Sequence, residues 1–411
     1  MQEEAHSLVI VGAGQGGFQL AASARAAGFT KPIILIGDEG VAPYGRPPLS
    51  KAFLLDKLSA DGLALQPGKF YEHKQIHLML GVAVDGIDRK LRCVHLADGR
   101  RIDYGHLVLA TGSRPRQLPF APITTDNNIH QLRDLHDAQR LKTALSTASK
   151  AVVIGGGFIG LEFAAVARLM GLNVHVVEAA PRVMFRSASP TLSTNFEQMH
   201  LRQGVQIHTS SIVKDIVWHG PHATGIQLES GEILDCDLVL VGVGGRANDE
   251  LAAETGLPTS DGVLVDAYLQ TSDPFISAIG DCARITQEDD SVRMESVQNA
   301  VDQAKYVARR MTEHSERYGA VAWFWSEQYQ TKLQIAGLVE RSKAQVVRGL
   351  PAEGRYSICH FDDQRLVAVE SVNEPSTHVA ARQILERRLA VTIQDIETAE
   401  MDLRMVLRQY A

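Results

Sequence analysis

Leu8–Val9–Ile10–Val11–Gly12–Ala13–Gly14–Gln15–Gly16–Gly17 decides the fold of this chain. Four apolar residues of strand length run into glycines at G-x-G-x-x-G spacing (Gly12, Gly14, Gly17). An alanine-rich helical stretch follows, from Phe18 to Ala27, and Gly28 is placed to stop it. Gly12 permits a tight turn, Gly14 lets the backbone approach a pyrophosphate, and Gly17 lets helix pack on strand. The anion then sits on the unpaired N–H groups of the helix start. A second apolar strand, Ile33–Ile36, ends at Gly37–Asp38–Glu39. An acid about 20 residues past the glycines supplies the acceptor that a ribose hydroxyl needs. The glycine spacing alone is weak; inside a strand–turn–helix–strand–acid unit it reads as a dinucleotide seat.

The unit recurs. Ala151–Ile154 is a strand, Gly155, Gly157 and Gly160 repeat the spacing, and a helix from Leu161 to Met170 is closed by Gly171. The next strand, Val174–Val177, ends in Glu178. Two complete units in one chain imply two dinucleotides. A carboxylate at Glu178 accepts ribose hydroxyls and repels a 2′-phosphate. Ala179 and Ala180 follow it and the nearest arginine is Arg182, so the second site is expected to take NADH rather than NADPH.

Composition narrows the class. At 411 residues the chain holds about two or three domains. A net charge of −7 argues against nucleic acid as a partner, since phosphate binding wants excess positive charge. No apolar run reaches the ~18 residues of a membrane span, and no signal-peptide pattern opens the chain. Cys93, Cys236, Cys282 and Cys359 are isolated, which gives no metal site and no disulfide framework and suits the cytoplasm. The histidines show no H-E-x-x-H pattern, and neither a nucleophile elbow nor a P-loop is present.

Other stretches are less decisive. Ala42–Lys51 with its adjacent prolines predicts a stiff extended loop, read either as a linker or as a rigid wall with a cationic tip at Lys51. Residues 91–110 alternate as strands around a turn at Asp98–Gly99. Residues 117–128 read as a connection between domains. Thr271–Asp281 holds a short apolar strand that ends in Gly–Asp, the carboxylate being either a turn aspartate or a ligand to a cofactor. Val297–Met311 reads as a helix. The last ninety residues form a small α+β module with strands at Ser357–Phe361 and Leu366–Val372 and a helix near Thr377–Arg388. Trp323 and Trp325 share a face if extended, as core packing or as part of a site.

With these residues in hand, essentially the whole chain resembles the NADH-dependent ferredoxin reductases that serve bacterial oxygenases. The resemblance rests on Arg46–Pro47–Pro48–Leu49–Ser50–Lys51, Ala110–Thr111–Gly112, Gly155–Glu162, Ile279–Gly280–Asp281–Cys282–Ala283, Glu295–Ser296–Val297 and Trp323–Phe324–Trp325–Ser326. It implies an α/β fold of glutathione-reductase type with two Rossmann-like dinucleotide-binding domains and a C-terminal α+β domain. The FAD-binding domain would take residues 1–116 and 243–319, the NAD-binding domain 117–242, and the C-terminal domain 320–411. It further implies FAD on Gly12, Gly14, Gly16 and Gly17, with Asp38, Lys51, Val84, Arg133, Asp281 and Val297 among its contacts. NADH would lie on Gly155, Gly157 and Gly160 with Glu178 at its ribose. Lys51 and Glu162 would act as an ion pair near the reacting flavin nitrogen, Phe158 would flank the face where nicotinamide stacks, and Trp325 would sit on the acceptor side. Relatives often carry tyrosine at the Phe158 position.

Disulfide reductases of this fold carry a cysteine pair in the loop after the first unit, whereas residues 40–54 here contain none. Electrons are therefore expected to leave for an external acceptor, a [2Fe–2S] ferredoxin feeding an aromatic-ring dioxygenase or a haem monooxygenase. Docking an acidic ferredoxin needs a local positive patch, for which Lys305, Arg309, Arg310, Lys332, Arg341 and Lys343 are candidates, or else a solvated face. The alternatives are a reductase of rubredoxin, quinone or oxygen, and a redox-sensing flavoprotein similar to apoptosis-inducing factor.

Overall fold

The computed structural model describes residues 7–287, 290–313, 316–398 and 403–410, which fall into two compact units. The first is drawn from residues 7–45, 60–114, 245–287, 290–313 and 316–320. Its central strand, Leu8–Val11, is buried along its whole length, as the middle of a parallel sheet requires. It pairs in parallel with Ile33–Gly37 on one side and His106–Leu109 on the other, with Leu8 opposite Ile33 and His106. Ile76–Leu80 and Ile276–Ala278 extend the sheet outward, again in parallel. The helix Gln15–Ala26 makes the first crossover and buries Phe18, Leu20, Ala21 and Ala24. A three-stranded antiparallel sheet is formed by Val84–Asp88, Cys93–Leu96 and Arg101–Asp103, with the expected turn at Gly99 (φ +87°).

The second unit contains residues 46–59, 115–244, 321–398 and 403–410. It repeats the same plan. Lys150–Ile154 is flanked in parallel by Asn173–Val177 and Leu238–Val241, and Gln206–His208 and Ile129–His130 complete five strands. The helix Phe158–Leu169 makes the crossover, and Val213–His219, His222–Leu228 and Ile233–Asp235 form the accompanying antiparallel sheet. Both crossover helices begin three residues earlier than the alanine-rich stretches suggested. The glycines that weaken helix propensity, Gly16–Gly17 and Gly160, lie inside the first turn.

The C-terminal module in this second unit is a five-stranded antiparallel sheet. Its order is Trp323–Gln328, Thr331–Gly337, Arg365–Val372, Arg355–Asp362, Ala344–Leu350. The helix Pro375–Glu386 buries Ala380, Ala381 and Ile384 with Val369 and Phe361 in one apolar cluster. Glu370, fully buried, ties this module to the start of the helix Pro190–Arg202. It accepts the Ser189 N–H at 2.8 Å and the Ser189 hydroxyl at 2.5 Å, and His360 Nε2 lies 3.0 Å away.

One expectation fails. Pro47–Ser50 is not extended but a 3₁₀ turn, with Lys51 N–H bonded to the Pro48 carbonyl at 3.0 Å. Proline's fixed φ suits the first turn of a helix as well as an extended loop, and burial of Leu49 and Ser50 selects the former. Among the described residues, no helix is long and apolar enough to cross a membrane.

Candidate functional site

The two glycine turns are built alike. Gly12 has φ +111° and Gly155 +109°, and a Cβ on either would lie 2.1 or 2.3 Å from a carbonyl of the neighbouring strand exit, Ala110 or Gly242. Only glycine fits there. A Cβ on Gly17 would lie 1.9 Å from the Gly12 carbonyl, and one on Gly160 2.2 Å from that of Gly155, so these two let helix and strand approach. The middle glycines differ. Gly14 (φ −80°) and Gly157 (φ −78°) cap the two helices with extended backbone, and a Cβ on either meets nothing within 4 Å. The protein itself does not demand glycine at these positions; a ligand in the open space would. Neither helix has a side-chain cap or an acid in its first turn, so amide protons face that space. The cradles fit two pyrophosphates.

The acids behind the turns are offset. Gly12 N–H bonds Ile36 O, and Gly155 N–H bonds Val177 O, each at 2.8 Å. Gly37 is therefore the counterpart of Glu178, and Asp38 lies one residue later. Asp38 is exposed and accepts the Glu39 N–H at 3.1 Å, while Glu39 accepts the Tyr44 hydroxyl at 2.6 Å. Glu178 accepts Gly156 N–H through Oε2 at 2.7 Å and Ala180 N–H through Oε1 at 2.8 Å, which leaves each oxygen a further lone pair for a ribose hydroxyl. Arg182 is committed to the carbonyls of Phe185 and Ala188 and to the Ser193 hydroxyl.

In the first unit, Asp281 sits in a 3₁₀ turn after the Ile276–Ala278 strand and accepts the Ser113 hydroxyl at 2.9 Å. Gln303, on the helix Val297–Arg310, accepts the Gly280 N–H at 2.7 Å. Ala300 of that helix would lie 3.6 Å from a Cβ on Gly16, so Val297, its first residue, starts close to the glycine turn. Val84 opens the Val84–Asp88 strand opposite Leu96. Arg133, in the second unit, donates its N–H to Asp137 and accepts Arg46 Nη1 on its carbonyl.

The second unit brings Lys51, Glu162 and the C-terminal module together. Glu162 is 5% exposed on the first turns of the Phe158–Leu169 helix. Its Oε2 accepts Lys51 Nζ at 2.8 Å and the Ser50 hydroxyl at 2.5 Å, and its Oε1 accepts the Ser326 hydroxyl at 2.7 Å. A buried carboxylate with three donors, one of them a cation, is satisfied on both oxygens. Phe158, one helical turn earlier, packs on Phe324 with ring centroids 4.3 Å apart. Trp325 and Trp323 do share a face, 5.9 Å apart, and Arg382 lies 4.6 Å over the Trp323 ring. Ser50 and Ser326 lie within motifs of the resemblance but carry no local sign of this role, since their partner is 112 and 164 residues away.

The cationic residues stand in different environments. Lys305 and Arg309 are exposed. Arg310 is withdrawn from the surface role expected of it: its guanidinium donates to the Tyr268 carbonyl and to the Ser277 hydroxyl. Lys332 lies 3.9 Å from Glu327, and Lys343 pairs with Asp362 at 2.7 Å. Asp134, His136 and Asp137 lie close enough to suggest a metal, but Asp134 caps a helix through the Asp137 N–H and Asp137 accepts the Arg133 N–H.

Comparison with known proteins agrees with this geometry. Residues 6–304 match the family described as pyridine nucleotide-disulphide oxidoreductase, and residues 323–407 match a reductase C-terminal family. Rhodocoxin reductase of Rhodococcus erythropolis is 45% identical, over 98% of this chain and 95% of its own. The anthranilate 1,2-dioxygenase system ferredoxin–NAD(+) reductase component of Burkholderia cepacia is 35% identical, over 93% and 94%. The reductase in the crystal structure of the covalent putidaredoxin reductase–putidaredoxin complex superposes with a TM-score of 0.95 at 38% identity, covering 98% of each chain. The chain belongs to the pyridine nucleotide-disulphide oxidoreductases as an FAD-containing, NADH-dependent enzyme with a reductase C-terminal module.

Proposed function

We propose that the protein is an NADH:ferredoxin reductase that passes electrons through FAD to a [2Fe–2S] ferredoxin, which in turn serves an oxygenase. FAD takes the Gly12–Gly17 turn, with Asp38, Val84, Asp281 and Val297 among its contacts. NADH takes the Gly155–Gly160 turn, with Glu178 at its ribose. When bound, FAD supplies the conversion of a hydride into single electrons. The chain supplies placement: Phe158 and Glu162 line the nicotinamide end of the second seat, and Lys51 fixes the Glu162 carboxylate.

The observation that carries this reading is the Lys51–Glu162 pair. The segment in which disulfide reductases carry cysteines holds Ser50 and Lys51, and both bind a carboxylate. That furnishing suits charge and hydrogen bonding rather than thiol exchange, so the electrons go to an external acceptor. The similarity to a dioxygenase-system ferredoxin–NAD(+) reductase component and to the reductase of the putidaredoxin complex supports a ferredoxin as that acceptor and an oxygenase beyond it. The four cysteines, all free and buried, support the cytoplasm as the compartment. The test is NADH-driven cytochrome c reduction with and without an added [2Fe–2S] ferredoxin. Ferredoxin-dependent turnover supports the assignment, and equal rates without it point to a different acceptor.

A further inference from the structure

The hydrogen bonds around Glu162 continue past Ser326. Gln328 Nε2 donates to the Ser326 hydroxyl at 3.2 Å, Gln328 Oε1 lies 2.7 Å from His200 Nε2, and the Tyr329 hydroxyl lies 3.2 Å from His200 Nδ1. Ser326, Gln328 and His200 are at most 1% exposed, and Tyr329 is partly exposed at the far end. Chemistry sets the direction of every bond. A carbonyl oxygen only accepts, so Nε2 of His200 carries the proton and Nδ1 of the neutral ring accepts from Tyr329. An amide nitrogen only donates, so the Ser326 oxygen receives Gln328 and its proton goes to Glu162 Oε1. Burial lowers the His200 pKa to about 4, which keeps the ring neutral at working pH.

We propose that Ser326, Gln328 and His200 are positioning residues for Glu162: a one-way chain of donors from Tyr329 that holds the carboxylate in the orientation used for hydride transfer. The inference rests on the reading above that Glu162 serves that step. Two features speak against mere packing. Bonds aligned in a row polarise one another in a low-dielectric interior, and a chain left incomplete there is worse than apolar filling, so its completeness is informative. Tyr329 also has φ +56° in the two-residue turn between Trp323–Gln328 and Thr331–Gly337, a conformation that favours glycine. Its ring lies 5.2 Å from the His200 imidazole. The hydroxyl it delivers to Nδ1 accounts for a tyrosine in that place.

The test uses the holoenzyme. Rapid mixing with NADH gives the rate of flavin reduction and the NADH Kd separately. Ser326→Ala is expected to slow reduction roughly 10- to 100-fold with Kd changed less than about threefold. Ser326→Thr keeps the hydroxyl and should recover most of the rate, and Ser326→Ala with Glu162→Gln should be no slower than Glu162→Gln alone. Independently of turnover, ¹⁵N NMR of histidine-labelled enzyme should show His200 as the Nε2–H tautomer, with Nδ1 shifted in Tyr329→Phe. If Ser326→Ala does not fold, Tyr329→Phe decides: a wild-type rate with an unmoved Nδ1 resonance overturns the proposal. A slow Glu162→Gln beside a full-speed Ser326→Ala, or fully additive losses, overturns the positioning role and leaves the site reading intact. An unaffected Glu162→Gln overturns both, and an Nδ1–H tautomer overturns the chain alone.

Discussion

Glu178 accepts the Gly156 amide proton through Oε2 at 2.7 Å, which ties the acid at one strand end to the glycine turn at the next. The counterpart position in the first unit is Gly37, where a Cβ would lie 2.6 Å from that of Ala13. One half of the chain therefore puts a carboxylate against its cradle, while in the other the Ala13 side chain fills that place and leaves no room for a side chain.

Cofactor preference should follow Glu178. Removing a hydroxyl contact to a charged acceptor costs about 1.5–3 kcal/mol per bond, so kcat/KM for NADH should fall by at least about tenfold. Glu178→Ala with Ala180→Arg should therefore lose NADH activity by that factor while NADPH activity rises. Steady-state kinetics with both nucleotides checks this. A wild-type enzyme that uses NADPH as readily as NADH would contradict the role of Glu178.

The open middle glycines separate binding from folding. An alanine at Gly14 or Gly157 meets no protein atom and suits the local φ, so stability should stay within about 1 kcal/mol of wild type. Gly14→Ala should nonetheless bind FAD weakly, and Gly157→Ala should keep FAD and raise the NADH KM. Gly17→Ala and Gly160→Ala place a Cβ on a carbonyl and should lower Tm outright. Flavin absorbance and thermal melts of all four variants distinguish the two outcomes.

Charge reversal at Lys305 and Arg309 should raise the ferredoxin KM about tenfold at low salt and leave NADH–ferricyanide turnover intact. Arg310→Glu should instead destabilise the fold, because its guanidinium bonds the Tyr268 carbonyl and the Ser277 hydroxyl. Parallel loss of both activities in the Lys305/Arg309 variant would mean that these two cations are structural.

Acid should weaken the protein through its buried histidines. Burial lowers the pKa of His106, His130, His200 and His378 from 6.5 to about 4. The unfolded chain then binds more protons below pH 6.5, so stability falls as pH drops from 6.5 toward 4 and levels off below. Between pH 7 and 5 each ring contributes a loss of about 1–2 kcal/mol. His378→Gln should shallow the dependence of Tm on pH, and a flat profile in the wild type would refute the assignment.

The glycine turns were legible because their spacing is local and each glycine has a separate steric reason. The Pro47–Lys51 turn was misread as extended, because the φ of proline serves both conformations and only the burial of Leu49 chooses between them. The chain from Tyr329 to Glu162 was illegible for a different reason. His200, Gln328 and Glu162 belong to distant segments, and no periodicity records which buried polar groups meet. Arg310 shows the same limit: its position on a helix suggested a surface cation, while its partners come from another strand and loop.

The central claim is tested most directly by anaerobic titration of the purified yellow protein with NADH, followed by addition of a [2Fe–2S] ferredoxin. The account predicts that about one equivalent of NADH bleaches the flavin and that ferredoxin restores its colour while becoming reduced itself, two ferredoxins per flavin by electron balance. A preparation that takes up no FAD, or a flavin that NADH leaves oxidised, would contradict it.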